Sequence, residues 1–197
     1  MYYQSLIPSP LGDLIAIATD NHLLMLEFAD SVELEEKVAK LTKSPFVIPS
    51  ETEESLFPPL MRNKESISLK MSLKGIPTGW QKKSKILEQT EQELREYFEW
   101  KRKQFDIPLS VDGTDFQKDA WKWLEKIPYS ETRSYWEQAR MIGRDRAVRA
   151  IGGANHNNRI VIIIPCHRVI GASGKLVGYG GGMERKVWLL EHEKKNK

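Results

Sequence analysis

The sequence contains one cysteine and four histidines in 197 residues. A single thiol excludes a disulfide within the chain and any cysteine-based zinc cluster. No apolar run approaches the roughly 18 residues of a membrane-spanning helix. The opening stretch, MYYQSLIPSPLGDL, has no basic region followed by an apolar core and so does not read as a signal peptide. These absences lead to the expectation of a reducing compartment, cytoplasmic or, in a eukaryote, nuclear, with no membrane association. Net charge is also small, at +3, but it is unevenly shared. Residues 1–112 carry 14 Lys/Arg against 18 Asp/Glu, a net −4, and residues 113–197 carry 16 against 9, a net +7. Between Arg133 and Arg168 stand seven arginines, no lysine and two acids, Glu137 and Asp145. A local excess of arginine points to a polyanionic partner.

The length suits one large or two small domains. Leu14–Ala18 and Leu23–Phe28 read as two strands joined at Thr19-Asp20-Asn21-His22 in a hairpin. Ser31–Leu41 spaces Val32, Leu34, Val38 and Leu41 as a short amphipathic helix. From Thr42 to Lys85 five prolines and poor periodicity predict mostly loop, with a strand near Ile67–Leu73. Ile86–Trp100 has helical spacing, Phe105–Leu109 reads as a short edge strand ending in Pro108, and Val111-Asp112-Gly113 reads as a linker.

Thr114 and Gln117 have capping-box spacing and open a helix that Pro128 stops. Ser134 and Glu137 repeat the box for a helix Tyr135–Ile142 ending at Gly143. Asp145 is placed to cap a third helix, Arg146–Asn155. This helix has a small-residue face of Ala147, Ala150, Ile151 and Ala154, with Arg146, Arg149 and Gly153 toward the other side. Two readings fit: a helix-turn-helix that presents Arg149 to a DNA groove, or a helical hairpin with solvated arginines.

The lone thiol falls within Ile160–Ile170, IVIIIPCHRVI. A continuous apolar run reads as a buried strand, ended by Pro165, delivering Cys166 beside His167. A free cysteine is most often an inert buried hydrophobe. The adjacent imidazole and the Pro break count against that reading, and the flanking chain has to decide between it and a nucleophile. Beyond it, Gly178-Tyr179-Gly180-Gly181-Gly182 lacks the Gly-Lys-Ser/Thr of a phosphate loop. It reads instead as backbone brought close to a flat ligand, with Tyr179 able to stack on it, before a helix Met183–Glu193.

PCHRVIG followed by GYGGG, Arg185-Lys186 and Trp188-Leu189-Leu190, and preceded by IPY, SY and AVRAIGGAN, resembles the O6-alkylguanine-DNA alkyltransferases, the methylated-DNA–protein-cysteine methyltransferase family. The resemblance covers about residues 113–193, and more loosely PSPLGDL near the start. It implies an α/β N-terminal RNase H-like domain over residues 1–110, with a loop-rich insertion at about 42–85. It further implies a mainly α C-terminal winged helix-turn-helix domain over residues 113–197. The implied activity is DNA repair: O6-alkylguanine, and O4-alkylthymine as well, is flipped out of double-stranded DNA and its alkyl group passes irreversibly to Cys166. That is a single-turnover reaction by a monomer, with no cofactor and no metal. The implied catalytic set is Cys166, His167 as base, Glu193 orienting it, Asn158 bracing the loop, and Tyr135 donating a proton to the departing guanine. Arg149 would fill the gap in the base stack, with Arg146, Ser134, Ala147 and Gly153 on the DNA. Tyr179, Gly180, Val169 and Asn155 would contact the substrate base.

The chain departs from the family pattern at four places. Asp145 and Arg159 stand where Pro is usual, Ser130 where Gly is common, and Gln138 where an apolar residue is common. Two other functions were weighed, a non-catalytic lesion sensor and a cysteine hydrolase using Cys166, His167 and Glu193. The retained thiol opposes the first, and the arginine-bearing helix pair opposes the second.

Overall fold

In the computed structural model, which describes residues 1–42 and 84–197, the chain opens with an antiparallel sheet in the order β1 (Tyr3–Ile7), β2 (Leu14–Ala18) and β3 (Leu23–Phe28). The hairpin lies where the sequence predicts it. Thr19 closes its turn, with the main-chain N–H donating to His22 O at 2.8 Å and Oγ1 accepting from His22 N at 3.2 Å. Strand β2, LIAIA, is buried along its whole length. Its alternating residues therefore serve two cores: Leu14, Ala16 and Ala18 face the main one, and Ile15 and Ile17 face Met25, Leu34 and Val38. Strand β1 was not anticipated. Gln4 and Ser5 dilute its apolar pattern, and only pairing with β2, from Tyr3↔Ala18 to Ile7↔Leu14, makes it a strand.

Helix α1 (Leu34–Thr42) starts later than expected, because Val32 precedes it and is 97% exposed. Helix α2 (Lys85–Phe98) is capped by Ser84 Oγ, which accepts from Leu87 N at 3.2 Å. Its Ile86, Leu87, Leu94 and Tyr97 cover the other face of the sheet. Thr42 and Lys85 are helical; the predicted loop between them and its strand near Ile67–Leu73 lie outside the described residues. Phe105–Leu109 is not a strand. Only Leu109 bridges to Leu23, with Leu23 N donating to Pro108 O at 2.8 Å and Ser110 N to Leu23 O at 2.9 Å.

Both predicted capping boxes are present, at Thr114/Gln117 for α3 (Asp115–Leu124) and at Ser134/Glu137 for α4 (Tyr135–Met141). Helix α5 runs over Val148–His156 and has Ala147 as its N-cap, with no side-chain cap. Asp145 and Arg146 instead sit in the turn before it. Ala120, Ala139, Ile151 and Ala154 form the small core where α3, α4 and α5 meet, while Ala150 is exposed. Arg133–Ser134 (β4) pairs in parallel with Val169–Ile170 (β5), and the chain closes with α6 (Met183–Lys195).

The main correction concerns residues 160–164. They are buried as expected, but they turn rather than extend. Ile164 N donates to Ile160 O at 3.0 Å, and Ile162 has φ 72°, an uncommon left-handed conformation for a β-branched residue. The edge of β3 pairs with the start of the turn. Leu26 N donates to Arg159 O at 2.8 Å and Val161 N to Leu26 O at 2.9 Å. An apolar run reports burial, and periodicity alone cannot separate a buried strand from a buried turn.

Candidate active site

The turn at 160–164 ends at Pro165, and Cys166 begins a 3₁₀ turn, Cys166–Arg168, that leads into β5. Cys166 is buried and free. The side chain of Asn158 fixes it. Asn158 Oδ1 accepts from Ile160 N at 3.0 Å, which orients the amide. Asn158 Nδ2 then donates to Ile164 O at 2.8 Å and to Cys166 Sγ at 3.2 Å. Burial pushes the thiol pKa up, while the Asn158 hydrogen bond and the Lys186 and Lys37 ammoniums oppose this. A thiolate formed here therefore depends on local donors and cations.

His167 and Glu193, 26 residues apart, meet in the fully buried interior, with His167 Nε2 to Glu193 Oε1 at 2.9 Å. Glu193 also accepts Arg168 Nε at 3.0 Å on Oε2 and Arg168 Nη2 at 2.9 Å on Oε1. Tyr97 Oη donates to it at 2.9 Å and Ser130 N at 3.1 Å. Burial would raise the Glu193 pKa, but His167 and Arg168 outweigh burial and hold it well below the usual carboxylate range. Burial lowers the pKa of His167 despite Glu193, so the imidazole is neutral near pH 7 and Arg168 is the permanent counter-charge. With Nε2–H donated to Glu193, Nδ1 holds a free lone pair. It is buried and has no hydrogen-bond partner among the described residues. That is the state of a general base. Helix α6 continues to Lys195, so Glu193 lies inside the helix rather than at a frayed end.

Around the thiol, Tyr179 stands edge-on to His167 with ring centroids 6.5 Å apart, its hydroxyl buried and without a hydrogen-bond partner among the described residues. Tyr135, in the first turn of α4, places Oη 3.4 Å from Val177 O. The close approach expected of the glycine loop falls at Gly181, where a Cβ would lie 2.7 Å from both Phe28 and Tyr179. Gly180 has ordinary spacing. Lys186, which the sequence reading gave no role, is fully buried and donates to Val169 O at 2.7 Å and Val177 O at 2.9 Å. Burial lowers its pKa to about 8. Lys186→Met is expected to cost about 1–3 kcal/mol of stability by stranding buried carbonyls, measured by urea unfolding. It should also slow alkylation of the thiol by about tenfold, one charge having left its surround.

Toward solvent, Arg149 and Gly153 are exposed on α5, Ala147 is half-buried at its N-cap, and Arg146 is exposed just before it. Ser134 Oγ accepts from Glu137 N at 3.1 Å, capping α4. Asn155 is placed differently from its expected role. Its amide is buried and exchanges two hydrogen bonds with Gln138, at 3.0 and 2.8 Å, which accounts for a polar Gln138 in the core. Ser130 has φ 64°, the conformation that favours glycine at this position. Val169 is buried in β5.

Sequence reasoning missed Arg168, Tyr97 and Lys186. Each stands among other polar residues, and no local pattern says which of them turns its polar end into the core. Among the described residues no group of three His, Cys, Asp or Glu could hold a metal ion, and no helix is long and apolar enough to cross a membrane.

Residues 1–111 match the model of the 6-O-methylguanine DNA methyltransferase, ribonuclease-like domain, and residues 115–195 that of the 6-O-methylguanine DNA methyltransferase, DNA binding domain. The methylated-DNA–protein-cysteine methyltransferase of Methanosarcina barkeri is 50% identical over 121 residues, 61% of this chain and 77% of that protein. The Methanosarcina acetivorans protein of the same name is 40% identical over 149 residues, 76% of this chain and 91% of that protein. The crystal structure of Mycobacterium tuberculosis OGT in complex with DNA superposes with a TM-score of 0.71 at 36% identity, covering 99% of this chain and 93% of that one. With both domain models matched on one chain, the buried cysteine, its histidine and their glutamate stand in a known context: the protein belongs to the 6-O-methylguanine DNA methyltransferase family.

Proposed function

We propose that Cys166 is the acceptor and that the groups around it perform one balanced displacement. The chain is a methylated-DNA–protein-cysteine methyltransferase that repairs DNA by direct reversal. The observation that carries the mechanism is the bracket of Asn158 on Sγ beside the His167–Glu193–Arg168 array. His167 Nδ1 takes the thiol proton through a bridging water, since no hydrogen bond joins the two side chains directly. Sulfur attacks the alkyl carbon, the C–S bond forms as C–O breaks, and the electron pair leaves on guanine O6. Tyr135 supplies the proton that neutralises the departing base and regains one through solvent, as the His167 imidazolium gives up the thiol proton. The imidazolium is stabilised by Glu193. The thioether has no route back to thiolate, so each molecule acts once, and the atoms balance with no cofactor.

The base must leave the duplex to reach a thiol buried this deeply. Arg149, exposed on α5, fills the gap, with Arg146, Ala147 and Gly153 along the backbone. Tyr179, Val169 and the Gly180 backbone contact the base, and O4-alkylthymine is a second substrate. In this reading α4 and α5 are a helix-turn-helix with the β4–β5 region as its wing. Residues 1–110 form an RNase H-like domain, residues 113–197 form the DNA-binding domain, and the protein acts as a monomer on double-stranded DNA in the cytoplasm, or the nucleus of a eukaryote.

Intact mass after incubation with a duplex carrying O6-benzylguanine tests the reading. One benzyl group per chain, mapped to the Cys166 peptide, is expected. Tight binding without an adduct would sink it. Arg149→Ala is expected to react normally with free O6-benzylguanine but to repair duplex DNA about tenfold or more slowly, the cost of one lost anchor in a desolvated site. Equal loss on both substrates would remove the finger role.

A further inference from the structure

The N-terminal sheet and α1 carry a buried ion pair, beside Asn158, that the mechanism does not use. Glu27 on β3 is fully buried, and Lys37 on α1 is 5% exposed. Glu27 Oε1 accepts from Phe28 N at 2.9 Å and Oε2 accepts from Lys37 Nζ. Lys37 Nζ also lies 3.3 Å from Glu33 Oε2 and donates to the main-chain oxygen of Asn158 at 3.4 Å. Burial opposes the charge on Lys37, but Glu27 and Glu33 outweigh it and keep the ammonium protonated. With three donors and these three acceptors, the ammonium is fully committed.

We infer that Lys37, held by Glu27, is a positioning residue for Cys166: it fixes the main chain of Asn158, whose side chain in turn holds the sulfur. The inference rests on the reading of Cys166 as the alkyl acceptor. Three further contacts pin the same segment. Glu33 Oε1 meets His156 Nε2 at 2.7 Å, and Leu26 of β3 exchanges main-chain hydrogen bonds with Arg159 and Val161. Residues 156–161 are thus tethered to the N-terminal elements on both sides of Asn158. A buried ion pair is a poor source of net stability, since apolar residues of the same volume often serve as well or better. What it provides that they cannot is a directional donor, and this donor points at the residue whose side chain hydrogen-bonds the nucleophile. The Lys37 ammonium also lowers the thiol pKa, against Glu27, which raises it.

The test uses the full chain and free O6-benzylguanine, which needs no DNA surface. The rate of Cys166 alkylation is followed between about pH 6 and 10, together with thermal melting and affinity for undamaged duplex. The other charged or titratable groups facing the thiol, Lys186, His167, Tyr135 and Tyr179, are the same in every variant. Lys37→Met is expected to slow alkylation by about tenfold, the scale of one charge-assisted hydrogen bond, and to move the pH midpoint of the rate upward. Lys37→Arg should recover much of the rate, and DNA affinity should hold. Because Lys37→Met leaves Glu27 without its partner and can fail to fold, a Glu27→Gln, Lys37→Met double variant removes both charges. It should melt near wild type yet react slowly, and because the two lost charges shift the thiol in opposite directions its rate, not its midpoint, is the readout. A folded double variant with the wild-type rate overturns the inference, as does a loss of rate in Lys37→Met with an unmoved midpoint. An unmodified wild-type protein in the same assay would instead overturn the assignment of Cys166 as acceptor.

Discussion

The Cys166→Ser protein is expected to take up no alkyl group while keeping its fold and its hold on DNA. Serine is close in volume to cysteine, and Asn158 Nδ2, now 3.2 Å from sulfur, keeps an acceptor in the hydroxyl oxygen. Stability should therefore stay within about 1 kcal/mol of wild type, a shift of about 2–4 °C in melting temperature. The reaction is another matter. A free thiol near pKa ~8.5 is already a few per cent thiolate at neutral pH, whereas a serine hydroxyl offers almost no alkoxide and is a harder nucleophile toward an alkyl carbon. Neutral His167 cannot make up that difference. Transfer should fall below detection by intact mass, with duplex affinity unchanged by gel shift; a serine-linked adduct would refute the nucleophile assignment.

Glu193→Gln is expected to damage both stability and rate. The carboxylate accepts from His167, Arg168, Tyr97 and Ser130 N at once. A glutamine side chain has one oxygen, and its amide nitrogen must face some of these donors. The Arg168 guanidinium, 6% exposed, is then a buried charge without its counter-ion. Breaking one half of such a pair costs about 3–5 kcal/mol, or roughly 10 °C in melting temperature. His167 also loses the partner that sets its tautomer and stabilises its cation, which should slow transfer by about 100-fold or more.

The pH dependence of stability follows with a definite sign. Both Glu193 and His167 have pKa values lowered by folding. Their contributions are fully present above their unfolded values, about 4.3 and 6.5, and are lost as pH falls through the folded ones. The unfolded chain binds more protons there, so wild-type stability should drop as pH falls below about 6.5, and more steeply below about 5. In Glu193→Gln the lower limb should flatten, as read by urea midpoints across that range. An unchanged limb would place the acid-sensitive carboxylate elsewhere.

Much of this site was legible because its signals are local. Thr114/Gln117 and Ser134/Glu137 declare two helix starts by side-chain chemistry that acts within one turn. The β2–β3 hairpin follows from alternation and a turn. Asp145 shows the limit of such signals. It has good capping chemistry, but α5 starts three residues later, at Val148, because packing of Ile151 and Ala154 on α3 and α4 sets the helix position.

By itself, the sequence determined the elements whose cause lies within a few residues, the burial of IVIIIP, and the chemical identity of the acceptor, since the chain has only one thiol. Tertiary structure alone decided that Ile160–Ile164 turns instead of extending, with the Val161 amide satisfied by Leu26 on another element and the Ile163 and Ile164 amides within the turn. It also decided that Glu193 reaches His167, that Arg168 joins His167 in keeping that glutamate ionised, and that Lys37 from the far end of the chain braces Asn158. The physical reason is the same in each case. The stability of a buried charge or an unpaired amide depends on its partner, and those partners are 25 to 135 positions away along the chain.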